Sequence, residues 1–90
     1  MRTALDLTVT GRVQGVSFRM YAERAAARLG VAGWVRNEPD GSVAIHAEGD
    51  VDAVEAFVRW TYDGPGLAHV EHVDARPAAD TGATDFRVKY

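Results

Sequence analysis

A repeated change of hydrophobic period constrains this chain more than any other feature. In Leu5-Asp6-Leu7-Thr8-Val9-Thr10 every second residue is apolar, the pattern of a half-buried strand. After Gln14-Gly15-Val16-Ser17 the apolar positions fall at Phe18, Ala22, Ala25 and Leu29, the spacing of an amphipathic helix. A strand follows from Val31 to Arg36, and another alternates Val43, Ile45 and Ala47. Helical spacing recurs at Val51, Val54, Phe57, Val58 and Thr61, and a strand is expected from about Ala68 to Ala75. Beyond a polar, Ala-rich loop (Arg76 to Thr84), Phe86-Arg87-Val88-Lys89-Tyr90 alternates again. One-sided strands and one-sided helices can bury their apolar faces only against each other, so this order demands a layer of helices on a sheet.

The order β-α-β-β-α-β predicts an α+β fold, a ferredoxin-like sandwich with two helices on one face of an antiparallel sheet and a short extra C-terminal strand. Ser17 is expected to cap the first helix with its side chain and Gly30 to end it; Asp50 is the expected N-cap of the second, which Gly64-Pro65-Gly66 stops. Asn37-Glu38-Pro39-Asp40-Gly41 reads as a hairpin turn, and Gly11 as a bulge or a close backbone approach. A length of 90 residues suits a single domain spanning 1–90. Trp34 is expected to pack within it.

Composition narrows the function classes. Ten basic against 13 acidic residues give a net charge of −3, which provides no general basic surface for nucleic acid or anionic lipid. The expected central strand positions are aliphatic, without the aromatic platform that RNA recognition on this frame requires. The absence of cysteine excludes thiolate catalysis and Cys-ligated metal. No stretch approaches the roughly 18 apolar residues of a membrane span, and Asp6, Thr8 and Thr10 interrupt any signal-peptide core. A cytoplasmic location is expected.

Few residues offer chemistry. His69 and His72 are three apart, which on a strand sends them to opposite faces, and His46 lies opposite in phase to Ile45. All three are expected at the surface, with no metal site. Asp50 and Asp52 suit the start of a helix, and Asp40 belongs to a turn. Ser17 has no adjacent base to activate it. The segment Gly11-Arg12-Val13-Gln14-Gly15-Val16-Ser17-Phe18-Arg19 differs from these, because it leads from a strand into a helix N-terminus, where backbone N–H groups gather anions. Gly15 permits a tight turn and close approach, and the fork of Arg19 can hold two oxygens of a phosphate. On these grounds the segment is either a phosphate site or a plain tight turn with a solvated arginine.

That segment, with Gly33-Trp34-Val35-Arg36-Asn37-Glu38-Pro39-Asp40-Gly41-Ser42-Val43, resembles the acylphosphatase family, matching its GxVQGVxFR and GWVxNxxDGxV patterns in register. Gly64-Pro65, Ala68-x-Val70 and the terminal Phe-x-Val extend the likeness over nearly the whole chain. The resemblance implies hydrolysis of the carboxyl–phosphate bond of acyl phosphates. It carries phosphate binding to Arg19 and to the loop Gln14, Gly15, Val16, Ser17 and Phe18, and orientation of the attacking water to Asn37. Ser17 stands where many members have Gly, and Gly66 where a second Pro is common. No cofactor or metal is expected. The expected partners are a small acyl phosphate as substrate and inorganic phosphate or similar anions as product or inhibitors, acting on a monomer. The competing reading is a non-catalytic module of the same fold that binds phosphate or carbamoyl phosphate. A last expectation is that the Tyr90 carboxylate reaches Arg19 and holds its fork.

Overall fold

The computed structural model describes residues 1–90. Its elements are β1 (Arg2–Arg12), α1 (Phe18–Leu29), β2 (Ala32–Asn37), β3 (Val43–Asp50), α2 (Val51–Asp63), β4 (His69–Pro77) and β5 (Phe86–Lys89). One five-stranded sheet has the order β4-β1-β3-β2-β5. Each neighbouring pair among β4, β1, β3 and β2 is antiparallel, whereas β5 lies parallel to β2, pairing Gly33 with Phe86 and Arg36 with Lys89. The α+β, ferredoxin-like prediction therefore holds, and the terminal strand makes the sheet mixed.

The predicted apolar stripes meet in one core. Leu7, Val9, Val35, Val43, Ile45 and Ala47 from the sheet pack against Phe18, Ala22, Ala25, Val54 and Phe57 from the helices. Aromatic contacts join the layers: Trp60 lies 5.6 Å from both Phe18 and Phe57, and Phe57 lies 5.6 Å from Phe86 of β5. Burying each of the larger side chains stabilises the fold by about 1.5–3 kcal/mol. Gly11 satisfies both expectations made of it. The β1–β4 register shifts between Thr10 and Gly11, and a Cβ at Gly11 (φ +123°) would collide with the His69 carbonyl oxygen.

The expected side-chain caps are not made. Ser17 occupies the N-cap position of α1 in a left-handed conformation (φ 62°, ψ 25°) and makes no capping hydrogen bond. Side-chain capping requires extended dihedrals, which aim the hydroxyl back at the first-turn N–H groups. Asp50 is the N-cap residue of α2, as expected, and is extended, but its side chain makes no capping bond; its carboxylate accepts from the Met1 ammonium at 3.4 Å.

The sheet face opposite the helices holds a larger correction. His69 and His72 are exposed as expected, but His46 is buried, at 5% relative exposure. The period of two correctly places His46 away from the helices, yet the connection from β4 to β5 folds over that face. His46 stands opposite Asp6 of β1 and Trp34 of β2. Its Nδ1 lies 2.7 Å from Asp6 Oδ1, its Nε2 lies 2.6 Å from Glu48 Oε2, and its ring stacks on Trp34. Glu48 is wholly buried and anchors the connection. Its carboxylate accepts from the Thr81 N–H (2.9 Å), the Thr81 hydroxyl (2.8 Å) and the Ala83 N–H (2.6 Å). Arg2 flanks the cluster, 3.6 Å from Glu48 and 2.7 Å from Asp80. Burial by itself would push the His46 pKa down, but hydrogen bonds and charge from Glu48 and Asp6 outweigh it and raise the value. Burial pushes Glu48 up, and its four hydrogen bonds prevail and hold it below the ordinary carboxylate value.

Candidate active site

The junction of β1 and α1 is shaped by two departures from ordinary strand and helix geometry, at Gly15 and Ser17. Gly15 has φ +74°, and a Cβ there would meet nothing within 4 Å, so its face of the loop is open to an incoming group. Two residues on, Ser17 is left-handed as well. The first intrahelical bond runs from the Tyr21 N–H to the Ser17 carbonyl at 3.1 Å. The N–H groups of Phe18, Arg19 and Met20 precede it and have no acceptor within α1. With no side-chain cap, this positive end of the helix dipole is available to an anion.

Arg19 extends from the first turn of α1 beside these donors. Its guanidinium donates to the Lys89 carbonyl at 3.2 Å and lies 4.7 Å from the centroid of the Tyr90 ring. The C-terminal segment thus does hold Arg19, but through a carbonyl and a ring rather than the expected Tyr90 carboxylate, which makes no ion pair with it. A planar fork supported this way keeps N–H groups free for the oxygens of a phosphate.

Asn37 closes β2 just before the hairpin turn, and its Oδ1 is the one buried side-chain polar atom without a hydrogen-bond partner. Gln14 links this turn to the loop. Its Nε2 donates to the carbonyls of Glu38 and Ser42, each at 2.8 Å. Asp40 tightens the same turn by accepting from the Ser42 N–H (2.9 Å) and hydroxyl (2.6 Å), bonds that depress its pKa.

A cavity of about 490 Å³ unites these parts. Of the predicted residues it brings together Gly15, Ser17, Phe18, Arg19 and Asn37. Gln14 and Val16 do not line it; the Gln14 side chain is engaged by the turn, and Val16 packs against the core. Sequence reasoning missed Val13, Met20, Glu23 and Val88 as cavity lining, and it brought Tyr90 to Arg19 through the wrong group. Glu23 lies one helical turn beyond Arg19, a spacing visible in the sequence. Val88 and Tyr90 arrive only because β5 pairs with β2, which alternation alone does not specify.

A ferredoxin-like sandwich with open N–H groups, a supported arginine fork and an unpartnered asparagine oxygen around one cavity belongs to the class of small anion-binding α+β domains. The family model Acylphosphatase matches residues 5–88. The chain belongs to the acylphosphatase family. An acylphosphatase of Nocardioides sp. is 70% identical over 89 residues, covering 99% of this chain and 90% of that protein. The crystal structure of acylphosphatase from Bacillus subtilis superposes with a TM-score of 0.94 at 34% identity, covering all of both chains. Full-length HypF, solved in a phosphate- and nucleotide-bound form, contains a similar unit: TM-score 0.92 at 26% identity, over 100% of this chain and 12% of that one. No helix here is long and apolar enough to cross a membrane.

Proposed function

We propose that this chain is an acylphosphatase that hydrolyses acyl phosphates to a carboxylate and inorganic phosphate, with Arg19 and the loop N–H groups binding the phosphoryl group and Asn37 orienting water. The observation that carries this assignment is the Asn37 Oδ1, buried without a partner in the wall of the cavity that holds Arg19 and the Gly15–Phe18 loop. An unsatisfied buried acceptor costs about 1–3 kcal/mol, which a site-bound water donating to it would recover.

The phosphoryl oxygens lie over the loop, two of them chelated by Arg19. Water held by Asn37 attacks phosphorus in line as the bond from phosphorus to the carboxyl oxygen breaks, and that electron pair leaves on the carboxylate. The proton of the water passes to a phosphoryl oxygen, since an amide cannot accept it. This works without a general acid because the leaving group is the anion of an acid with pKa near 4. Phosphate monoesters, which must expel an alkoxide, are poor substrates at such a site. For the same reason the reaction needs no metal. The transition state is loose, so positioning and charge neutralisation supply the rate. Inorganic phosphate competes for the same donors, and the unit works as a monomer.

Benzoyl phosphate hydrolysis in the presence of EDTA tests the assignment, with Asn37→Ala and Arg19→Ala in parallel. Turnover should resist the chelator, Asn37→Ala should lower kcat by at least about a hundredfold with little change in KM, and Arg19→Ala should impair both. Near-normal kcat in Asn37→Ala would refute the water-orienting role. Phosphate binding without turnover by the folded wild-type chain would establish the non-catalytic module instead.

A further inference from the structure

The cavity is larger than a phosphoryl group requires, and the lining outside the phosphate cradle has a composition of its own. Beyond Gly15, Ser17, Phe18, Arg19 and Asn37, the wall is formed mainly by Met20 and Glu23 of α1 and by Val88 and Tyr90 at β5. Met20 and Tyr90 are large apolar or aromatic side chains left 40% and 97% exposed. Exposed apolar groups gathered at the mouth of a polar site are a surface awaiting an apolar ligand portion. Arg19 is the only cation in the lining, and the phosphoryl group occupies it. Glu23 is the only carboxylate side chain there, it is exposed, and it takes part in no ion pair.

We infer that Met20, Val88 and Tyr90 form the acyl subsite and that Glu23 makes it selective for uncharged, apolar or aromatic acyl groups over acyl groups that carry a second anion. The inference rests on the acylphosphatase reading above. An aromatic or aliphatic acyl chain covers Met20 and the Tyr90 ring and removes their surface from water. A chain ending in carboxylate or phosphate brings negative charge beside Glu23 with no cation left to pair with it. At separations of roughly 5–10 Å, such repulsion at low ionic strength is worth about threefold to tenfold in affinity, and salt reduces it. Glu23 acts on the distal part of the substrate and touches no reacting atom, so it is a specificity residue rather than a catalytic one.

The test compares kcat/KM for benzoyl phosphate and succinyl phosphate at low ionic strength, in the wild type, Glu23→Gln and Met20→Ser. The wild type should favour benzoyl phosphate by at least about tenfold. Glu23→Gln should shrink that ratio at least about threefold, chiefly through a lower KM for succinyl phosphate, and added salt should shrink it in the wild type but much less in the variant. Met20→Ser should also shrink the ratio, but by raising the KM of benzoyl phosphate. Comparable use of both substrates by the wild type, or a ratio that Glu23→Gln leaves unaltered, would overturn the subsite while the acylphosphatase assignment stands. Turnover of neither substrate by folded protein would overturn that assignment, and the subsite with it.

Discussion

Replacing Glu48 by alanine provides the most demanding test of how this fold is held together. The residue lies wholly inside the protein, and its carboxylate accepts from the Thr81 N–H, the Thr81 hydroxyl and the Ala83 N–H while meeting His46 Nε2 at 2.6 Å. Each such bond to a charged acceptor is worth about 1.5–3 kcal/mol, so a simple sum would exceed about 6 kcal/mol. The sum overstates the loss, because Thr81 is exposed and its donors can turn to water once released. His46 cannot, being enclosed beneath the connection. The cost should therefore settle at about 3 kcal/mol, within the range for breaking a buried charged pair by removing one partner. For a domain of this size that is a fall in Tm of roughly 12–24 °C. Glu48→Gln keeps the shape and one acceptor oxygen but turns an NH2 group toward donors, and should lose about half as much.

Urea unfolding of the wild type and both variants at pH 7 measures these differences directly. Native-state amide exchange adds a local signature: in Glu48→Ala the β5 amides should exchange faster than those of β1 and β3, because β5 follows the released connection. If both variants unfold within about 0.5 kcal/mol of the wild type, the connection is held by β5 pairing alone and the Glu48 anchor is wrong.

Two further outcomes follow from the same geometry. The raised pKa of His46 means that the folded chain binds its proton more tightly than the unfolded chain does. Its contribution is full below the unfolded value near 6.5 and is lost as pH rises through the higher folded value. The urea midpoint should decline as pH rises above about 6.5, and His46→Gln should flatten that decline; a wild type with no slope there would refute the linkage. Ser17→Gly should raise Tm by a few degrees, since it relieves a left-handed conformation costing about 1–2 kcal/mol for an L-residue and sacrifices no capping bond, against about 0.4–1 kcal/mol of added unfolded-chain entropy. A fall in Tm would mean that the Ser17 hydroxyl stabilises the loop in some other way.

How much of this was legible in the sequence depended on whether the cause was local. The first four strands and both helices follow from period changes that any short window reveals, and Leu7, Val9, Ile45 and Phe57 occupy the core their spacing implies. Strand β5 alternates just as clearly, but a four-residue strand carries no record of its partner, and its place beside β2 depends on the connection that delivers it. That connection has no apolar stripe to betray which surface it covers. Its anchor is Glu48, a residue type that a solvent-facing strand position would equally hold. His46 was misread for the same reason: period two selects a face, and only tertiary structure decides whether that face is wet. In the candidate site, the loop was legible because Gly15 and Arg19 are residue types that a tight turn and a phosphate site require, whereas Asn37 stood out only through the resemblance to the acylphosphatase motif. Met20 and Glu23 were hidden among ordinary helix residues.

Buried or strained polar groups occur on both sides of this sheet, and their degree of satisfaction distinguishes scaffold from site. Around His46 every close partner is present: Asp6 and Glu48 hold both ring nitrogens, and the three other donors to Glu48 come from the connection itself. A network closed in this way rigidifies, and it asks nothing of a ligand. Around Arg19 the opposite holds. The first-turn N–H groups of α1 lack acceptors within the helix, Ser17 sits left-handed without a capping bond, and Asn37 Oδ1 is buried and unpaired. Each departure costs free energy in the isolated chain, and the loop and Asn37 line one cavity beside the one cation in its lining. A ligand that repairs them together must bring several acceptors for N–H groups and a donor for Asn37. A phosphoryl group with an attacking water supplies both.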